Sequence, residues 1–180
     1  MEEVKLYRVT EIISDYADFS MVPPDVLNMA SERGTAVHAL CAAYAKGIYT
    51  PVPEPYGGYL NSFISWFDSE VYRVIDLERR FTHEAFGFTG QPDLIVVLYN
   101  GEIVLIDLKT PVTKYKTWKA QLAAYLRLAR AEYPGIKKAG SLRLHPEGNT
   151  PTMDWLEPKE ELVAFNAFLS KLNADRYFRS

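Results

Sequence analysis

The segment GQPDLIVVLYNGEIVLIDLKT, residues 90–110, restricts the fold more than any other part of the chain. Two runs, DLIVVLYN and EIVLIDLK, are dominated by Val, Ile and Leu and meet at Asn-Gly. That pattern reads as two buried strands joined by a tight turn. Its charged exceptions sit at the far end: Asp93 opens the first run, and Asp107 and Lys109 close the second. Asp107 and Lys109 are two apart and share a strand face. Whether Asp93 joins them depends on the turn. A two-residue turn would pair Asp93 with Leu108 and put the acids on opposite faces. A three-residue Tyr99-Asn100-Gly101 loop, with Gly101 left-handed in a bulge, pairs Leu98 with Glu102 and Asp93 with Asp107. The second register is the expectation.

Around the hairpin, SERGTAVHALCAAYAKG reads as a helix with Ser31 as N-cap and Gly47 as its stop. YLNSFISWFDSEVYRV carries Leu60, Phe63, Ile64, Phe67, Val71 and Val74 at helical spacing. From about Ile75 the pattern turns strand-like, giving IDLERRFTHEAF before a break at GFTG. YKTWKAQLAAYLRLARAEY is a strong helix, AGSLRLH and TPTMDWLE are short strands, and PKEELVAFNAFLSKLNADRYF closes as an amphipathic helix. TEIISDYADFS is a short helix or turn, and VPPD a turn or helix start. The order predicts an α/β fold: a central mixed β-sheet of about five strands, flanked by helices. No composition shift divides the 180 residues, so one domain over 1–180 is expected.

Composition removes several classes. No apolar run is long enough to span a bilayer. The opening MEEVKLYRVTEIIS is not a signal peptide, and a single cysteine makes no internal disulfide or four-thiolate metal site. A reducing, cytoplasmic setting is expected. Net charge is −3, so any nucleic-acid contact must be local.

Two carboxylates held together repel and call for a cation. Oxygen ligands favour a hard divalent ion, Mg²⁺ or Mn²⁺. A lysine beside them puts positive charge where a phosphate would sit. The plain alternative is a strand-starting Asp93, a strand-ending Asp107 and a solvated Lys109.

In chain order the sequence carries Arg33-Gly34…His38, Gly90…Asp93, Asp107-Leu108-Lys109 and Gln121…Tyr125, that is RGxxxH, GxxD, D-x-K and QxxxY. This series resembles the RecB-like branch of the PD-(D/E)XK nucleases, over about two thirds of the chain. The resemblance implies a restriction-endonuclease-like core. It implies His38, Asp93, Asp107 and the Leu108 backbone carbonyl as metal ligands, and Lys109 as the group that orients water and steadies phosphate charge. Gln121 and Tyr125 would contact the nucleic-acid backbone or brace the site. Glu78 resembles an acid often found before GxxD, although a surface acid is its default reading. Cys41 stands alone, so the iron–sulfur cluster of some relatives is absent, and no GxxxxGK[ST] motor loop is present. What remains resembles a compact stand-alone phage-type exonuclease.

Lys114, Lys116 and Lys119, interleaved with Tyr115 and Trp118, are read as a nucleic-acid contact alongside Arg33: cations for phosphates, aromatics for bases. The dull alternative is a solvated helix start with one core aromatic. Arg79 and Arg80 are expected to alternate in a strand. The functional expectation is a metal-dependent DNase acting on DNA in recombination, repair or phage DNA processing, with or without a helicase or recombination partner. Two rivals stand beside it: a non-catalytic nucleic-acid-binding protein with this fold, and a nuclease for RNA or branched DNA.

Overall fold

A computed structural model describes residues 5–17 and 20–178, so Asp18 and Phe19 of the TEIISDYADFS segment lie outside the described residues. The chain enters through β1 (Tyr7–Arg8), α1 (Val9–Ser14), α2 (Pro24–Ala45) and α3 (Gly57–Glu70). Strands β2 (Val71–Leu77), β3 (Phe81–His83), β4 (Phe88–Gly90), β5 (Leu94–Leu98) and β6 (Ile103–Lys109) follow. It closes with α4 (Thr117–Arg130), β7 (Ile136–Arg143), β8 (Thr152–Trp155) and α5 (Pro158–Phe178).

Five strands form the central sheet in the order β2-β5-β6-β7-β8, mixed because β6 and β7 run parallel while the other pairs are antiparallel. The parallel pair is joined through α4, as a crossover must be. A second, three-stranded sheet, β1-β4-β3, sits beside it. Alternation along the central strands divides the core. Leu94, Val96, Val104, Ile106, Leu108 and Leu142 pack with Val37, Cys41, Phe63 and Trp66 of α2 and α3. Ile95, Leu105 and Ala139 face the other way, onto α4, α5 and α1. Among the described residues no helix is long and apolar enough to cross a membrane.

The turn after β5 follows the three-residue loop. Gly101 has φ +84, its N–H bonds the Leu98 carbonyl, and Leu98 N–H bonds the Glu102 carbonyl. Leu94 pairs with Ile106 and Val96 with Val104, the register that brings Asp93 opposite Asp107.

Three expected boundaries move. Helix α2 begins at Pro24, a favoured first-turn residue, and Ser31 lies inside it rather than capping it. Its end is as read: Gly47 has φ +70, and Gly47 and Ile48 bond back to Tyr44 and Ala43 in a Schellman stop. Helix α3 ends at Glu70, and Val71 begins β2. Register shifts between Val71 and Arg73 and between Val74 and Asp76 turn Val71, Val74 and Leu77 onto the same core, although each is three from the next. Two bulges thus imitate a helical period. The run IDLERRFTHEAF is broken at Glu78, whose φ is +50, so its halves enter different sheets and Arg79 and Arg80 lie between strands. GFTG, expected as a break, supplies β4.

Candidate active site at the open end of the central hairpin

Asp93 immediately precedes β5, and Asp107 and Lys109 end β6, so strand pairing assembles three charged groups at one edge of the sheet. Asp107 and Lys109 alternate with Ile106 and Leu108, which enter the core under α2 and α3, so the charged pair faces α4 instead. Asp107 is 4% exposed, and its Oδ2 lies 2.6 Å from Lys109 Nζ. Helix α4 reaches into this pair with Gln121. The Lys109 ammonium donates to Gln121 Oε1 at 2.8 Å, while Gln121 Nε2 donates to Asp107 Oδ1 at 3.3 Å. One amide therefore fixes both members of the ion pair. One turn on, the Tyr125 hydroxyl accepts from the same Nε2 at 3.1 Å. The Lys109 ammonium also lies 5.4 Å from the Trp118 ring centroid.

Asp93 is held differently. Its Oδ2 accepts from the Leu108 backbone N–H at 2.6 Å, and its Oδ1 meets His38 Nδ1 at 2.9 Å. His38 comes from α2, across the end of the sheet. The Leu98 N–H bonds the Glu102 carbonyl, so even-numbered β6 residues direct their backbone groups at β5. Past the start of β5, Leu108 finds the Asp93 carboxylate instead of a strand, and its carbonyl leaves on the same side.

Gly90, the first residue of GxxD, has a local reason. A Cβ there would lie 2.7 Å from Tyr125 Cε1 and 2.8 Å from Leu128 Cδ1. The missing side chain lets Tyr125 lie close to β4, and through Tyr125 it sets Gln121. Gly34 has no comparable role: a Cβ there would meet nothing within 4 Å.

Burial raises the Asp107 carboxyl above its ordinary range, and the Asp93 charge pushes the same way; Lys109 opposes both without cancelling them. Burial works against a charged His38, yet the charge and hydrogen bond of Asp93 outweigh it and raise the imidazole. Burial, with the Asp107 charge, also raises Tyr125 far beyond the physiological range, so its hydroxyl stays neutral. Cys41 is buried and raised in the same way, consistent with an inert core thiol.

Among the described residues no group of three or more His, Cys, Asp or Glu stands at metal-holding distance. The acids are instead paired, Asp93 with His38 and Asp107 with Lys109. The donors nevertheless fit a hard divalent ion in kind. Asp107 Oδ2 is buried and met only by the Lys109 ammonium. Asp107 feels the charges of Asp93 and His38, and Asp93 bonds both His38 and the Leu108 N–H, so carboxylate and imidazole donors share this sheet end.

The remaining expectations separate. Glu78 lies beside the site: its N–H bonds the Asp93 carbonyl at 2.9 Å, and its carboxylate is 3.6 Å from Lys46. Arg33 is half-buried on α2, with its Nε buried and unbonded. Lys114, Lys116 and Lys119 rim a groove of about 590 Å³ between the start of α4, β8 and the start of α5. Lys114 is paired with Asp154 and Lys119 with Glu160, so much of that positive charge is neutralised within the protein. Trp118 lines the same groove but is only 8% exposed, with the Lys109 ammonium over its ring. On the other side of Tyr125, Arg8 and Arg80 line a smaller pocket of about 250 Å³ with Thr89 and Gln91. Nothing in the sequence signals that pocket, because Arg8 and Arg80 are 72 residues apart and only the small sheet joins them.

A family model described as the PD-(D/E)XK nuclease superfamily matches residues 58–176, well over half of the chain, and the chain belongs to that superfamily. His38 and the whole of α2 lie outside the matched stretch. Among solved structures, a protein from Eubacterium rectale described as a candidate exonuclease is 15% identical with a TM-score of 0.57, covering 98% of this chain and 81% of that one. An alkaline exonuclease from Laribacter hongkongensis is 15% identical with a TM-score of 0.44, covering 98% of this chain and 92% of that one. The first likeness is one of fold. No curated protein matches.

Proposed function

We propose that the protein is a divalent-metal-dependent deoxyribonuclease of the RecB-like branch, an exonuclease built as a single nuclease domain. The observation that carries this reading is the meeting of Asp93, Asp107 and Lys109 at one sheet end, with Gln121 bonded to both members of the Asp107–Lys109 pair. A structural ion pair needs no such amide, nor a second acid opposite the first.

In this reading Asp93, Asp107 and the Leu108 carbonyl would hold Mg²⁺ or Mn²⁺, with His38 completing the set from α2. When bound, the ion supplies Lewis acidity towards a phosphate oxygen and a lowered pKa for water. Two of the three Lys109 donors are engaged with Asp107 and Gln121, and the ammonium would turn from Asp107 towards the phosphate or the attacking water once the ion is bound. Gln121 holds the lysine at the sheet edge, and the neutral Tyr125 holds Gln121. Water attacks phosphorus in line; the P–O3′ bond breaks, leaving a 5′-phosphate and a 3′-hydroxyl. Phosphates flanking the reacting one would meet Arg8 and Arg80, and Lys116 on the other side.

The decisive experiment is digestion of end-labelled linear and closed circular DNA with Mg²⁺ or Mn²⁺. Loss of linear DNA with sparing of circles supports an exonuclease. Full activity of Lys109→Ala and Asp107→Ala on linear DNA would sink the reading. The rival, a non-catalytic binder, draws on one observation: the acids are paired with His38 and Lys109 rather than grouped for a metal among the described residues. It requires that millimolar Mn²⁺ leave no calorimetric trace of binding.

A further inference from the structure

Ser141 stands beside Asp107 in the parallel pairing of β6 with β7. The next residues along, Leu108 and Leu142, both enter the α2–α3 side of the core, so Ser141 and Asp107 both face α4. Ser141 is 1% exposed. Its hydroxyl has no hydrogen-bond partner, and the Oδ2 of the registered Asp107 is met only by the Lys109 ammonium, at 2.6 Å. Most buried polar groups are bonded, so an unbonded hydroxyl registered beside a carboxylate oxygen that one lysine holds points to a contact made in another state of the site. Packing alone does not require a polar atom there. Ala139, two residues earlier on the same face, is fully buried without one.

That other state follows from Lys109. As it stands, the ammonium is neutralised by Asp107 Oδ2. To carry its charge to a phosphate it must move off that oxygen. Asp107 would then be a buried anion bonded only to Gln121, at 3.3 Å. Adjacent strands lie about 4.8 Å apart, and a serine hydroxyl turns among three staggered positions, so Ser141 can reach the vacated oxygen without backbone movement. A carboxylate has about four acceptor sites, enough for this bond, the Gln121 bond and a cation together.

We infer that Ser141 is a positioning residue for Asp107: its hydroxyl donates to Oδ2 once Lys109 leaves that oxygen, displaced by a cation on the carboxylate or drawn to the phosphate, and keeps the carboxylate aimed. The inference rests on the nuclease reading. It predicts an effect on turnover rather than on DNA binding, because the bond forms only after the lysine has moved.

The test uses the whole chain and two substitutions, Ser141→Ala and Ser141→Thr. Cleavage of end-labelled linear DNA with Mn²⁺ is followed at varied DNA concentration, and Mn²⁺ is titrated calorimetrically without DNA. Ser141→Ala is expected to lower kcat about tenfold, leave KM unchanged and weaken Mn²⁺ binding about tenfold, the scale of a lost bond to a metal-holding carboxylate. Ser141→Thr keeps the hydroxyl and is expected to recover most of both. Wild-type kcat and Mn²⁺ affinity in Ser141→Ala overturns the inference. So does a Ser141→Thr protein that melts like wild type yet is as impaired as the alanine variant, since packing would then be the cause. If the threonine variant melts early, the alanine variant decides alone. A wild-type chain that leaves linear DNA intact defeats the nuclease reading, and the Mn²⁺ titration then still judges Ser141.

Discussion

The two faces of β6 are buried to the same degree and built on opposite rules. Towards α2 and α3, Val104, Ile106 and Leu108 are at most 2% exposed and wholly apolar. Towards α4, Leu105 gives way to Asp107, itself only 4% exposed, and then Lys109. The polar row continues sideways through Ser141 to Asp154, each the registered neighbour of the last. The apolar face gains from every group removed from water. The polar face is held against that tendency by specific partners: Gln121, Tyr125, Lys109 and the Leu108 N–H. One face supplies stability, and the other spends part of it to keep charge in a dry place.

The sharpest way to break this comparison is to empty the polar face. Lys109→Ala and Asp107→Ala are expected to lower nuclease turnover by about 10²–10⁴-fold, the scale of a lost charge-stabilising or proton-handling group. Stability should move the other way. The folded-state pKa of Asp107 is raised, so its favourable contribution is present below the unfolded value, about 3.9, and is lost as pH rises through the folded value. At neutral pH and without divalent ions, Asp107→Asn is therefore expected to melt above wild type while being inactive. An early melt at pH 7 would show that the Lys109 pairing outweighs the burial.

The apolar face should show the reverse. Ile106→Ala empties a fully buried position and is expected to cost about 2–5 kcal/mol in urea or thermal unfolding. Turnover measured well below its melting point should stay within a few-fold of wild type. A large loss of turnover there would mean that the faces are coupled.

Gly90→Ala tests the contact that joins β4 to the polar face. Its new methyl would press on Tyr125, costing about 1–3 kcal/mol by overpacking. Turnover should fall with KM little changed, because Tyr125 acts through Gln121 on Lys109. Equal losses of stability and no loss of turnover would leave Gly90 as a packing residue only.

The smallest effect concerns His38. With its folded-state pKa raised, the stability it lends is complete below the unfolded value, about 6.5, and is lost as pH rises through the folded value. The difference in Tm between wild type and His38→Ala should therefore shrink across that window in metal-free protein. A difference that is constant with pH would remove the charged His38–Asp93 pair from the account.

Much of the polar face is legible in the chain because local rules set it. Asn100-Gly101 fixes the loop, the loop fixes the register, and the register decides that Asp93 and Asp107 meet. Helical spacing puts Gln121 and Tyr125 on one face, and the resemblance to RecB-like nucleases assigns that face to the site. What stays hidden depends on tertiary context. The bulges in β2 make Val71 and Val74 look helical. Strands β1, β3 and β4 are two or three residues long, too short to show a period. Trp118 looks available beside its lysines, yet its side of α4 is the side that packs. Ser141 gives one weak signal, a hydroxyl in the run AGSLRLH, and only the pairing with β6 gives it meaning.

The small sheet carries a practical lesson about boundaries. Strand β1 runs parallel to β4, and β4 leads within three residues to Asp93. Tyr7, Val9, Ile12 and Ile13 are core members there, although all precede the stretch by which the superfamily is detected. A fragment trimmed to residues 58–176 would keep every diagnostic motif from Gly90 onward and still lose both the imidazole and the buttress behind the first acid. The recognisable portion of this molecule is smaller than the core it packs into, and expression boundaries drawn by similarity alone would cut through that core.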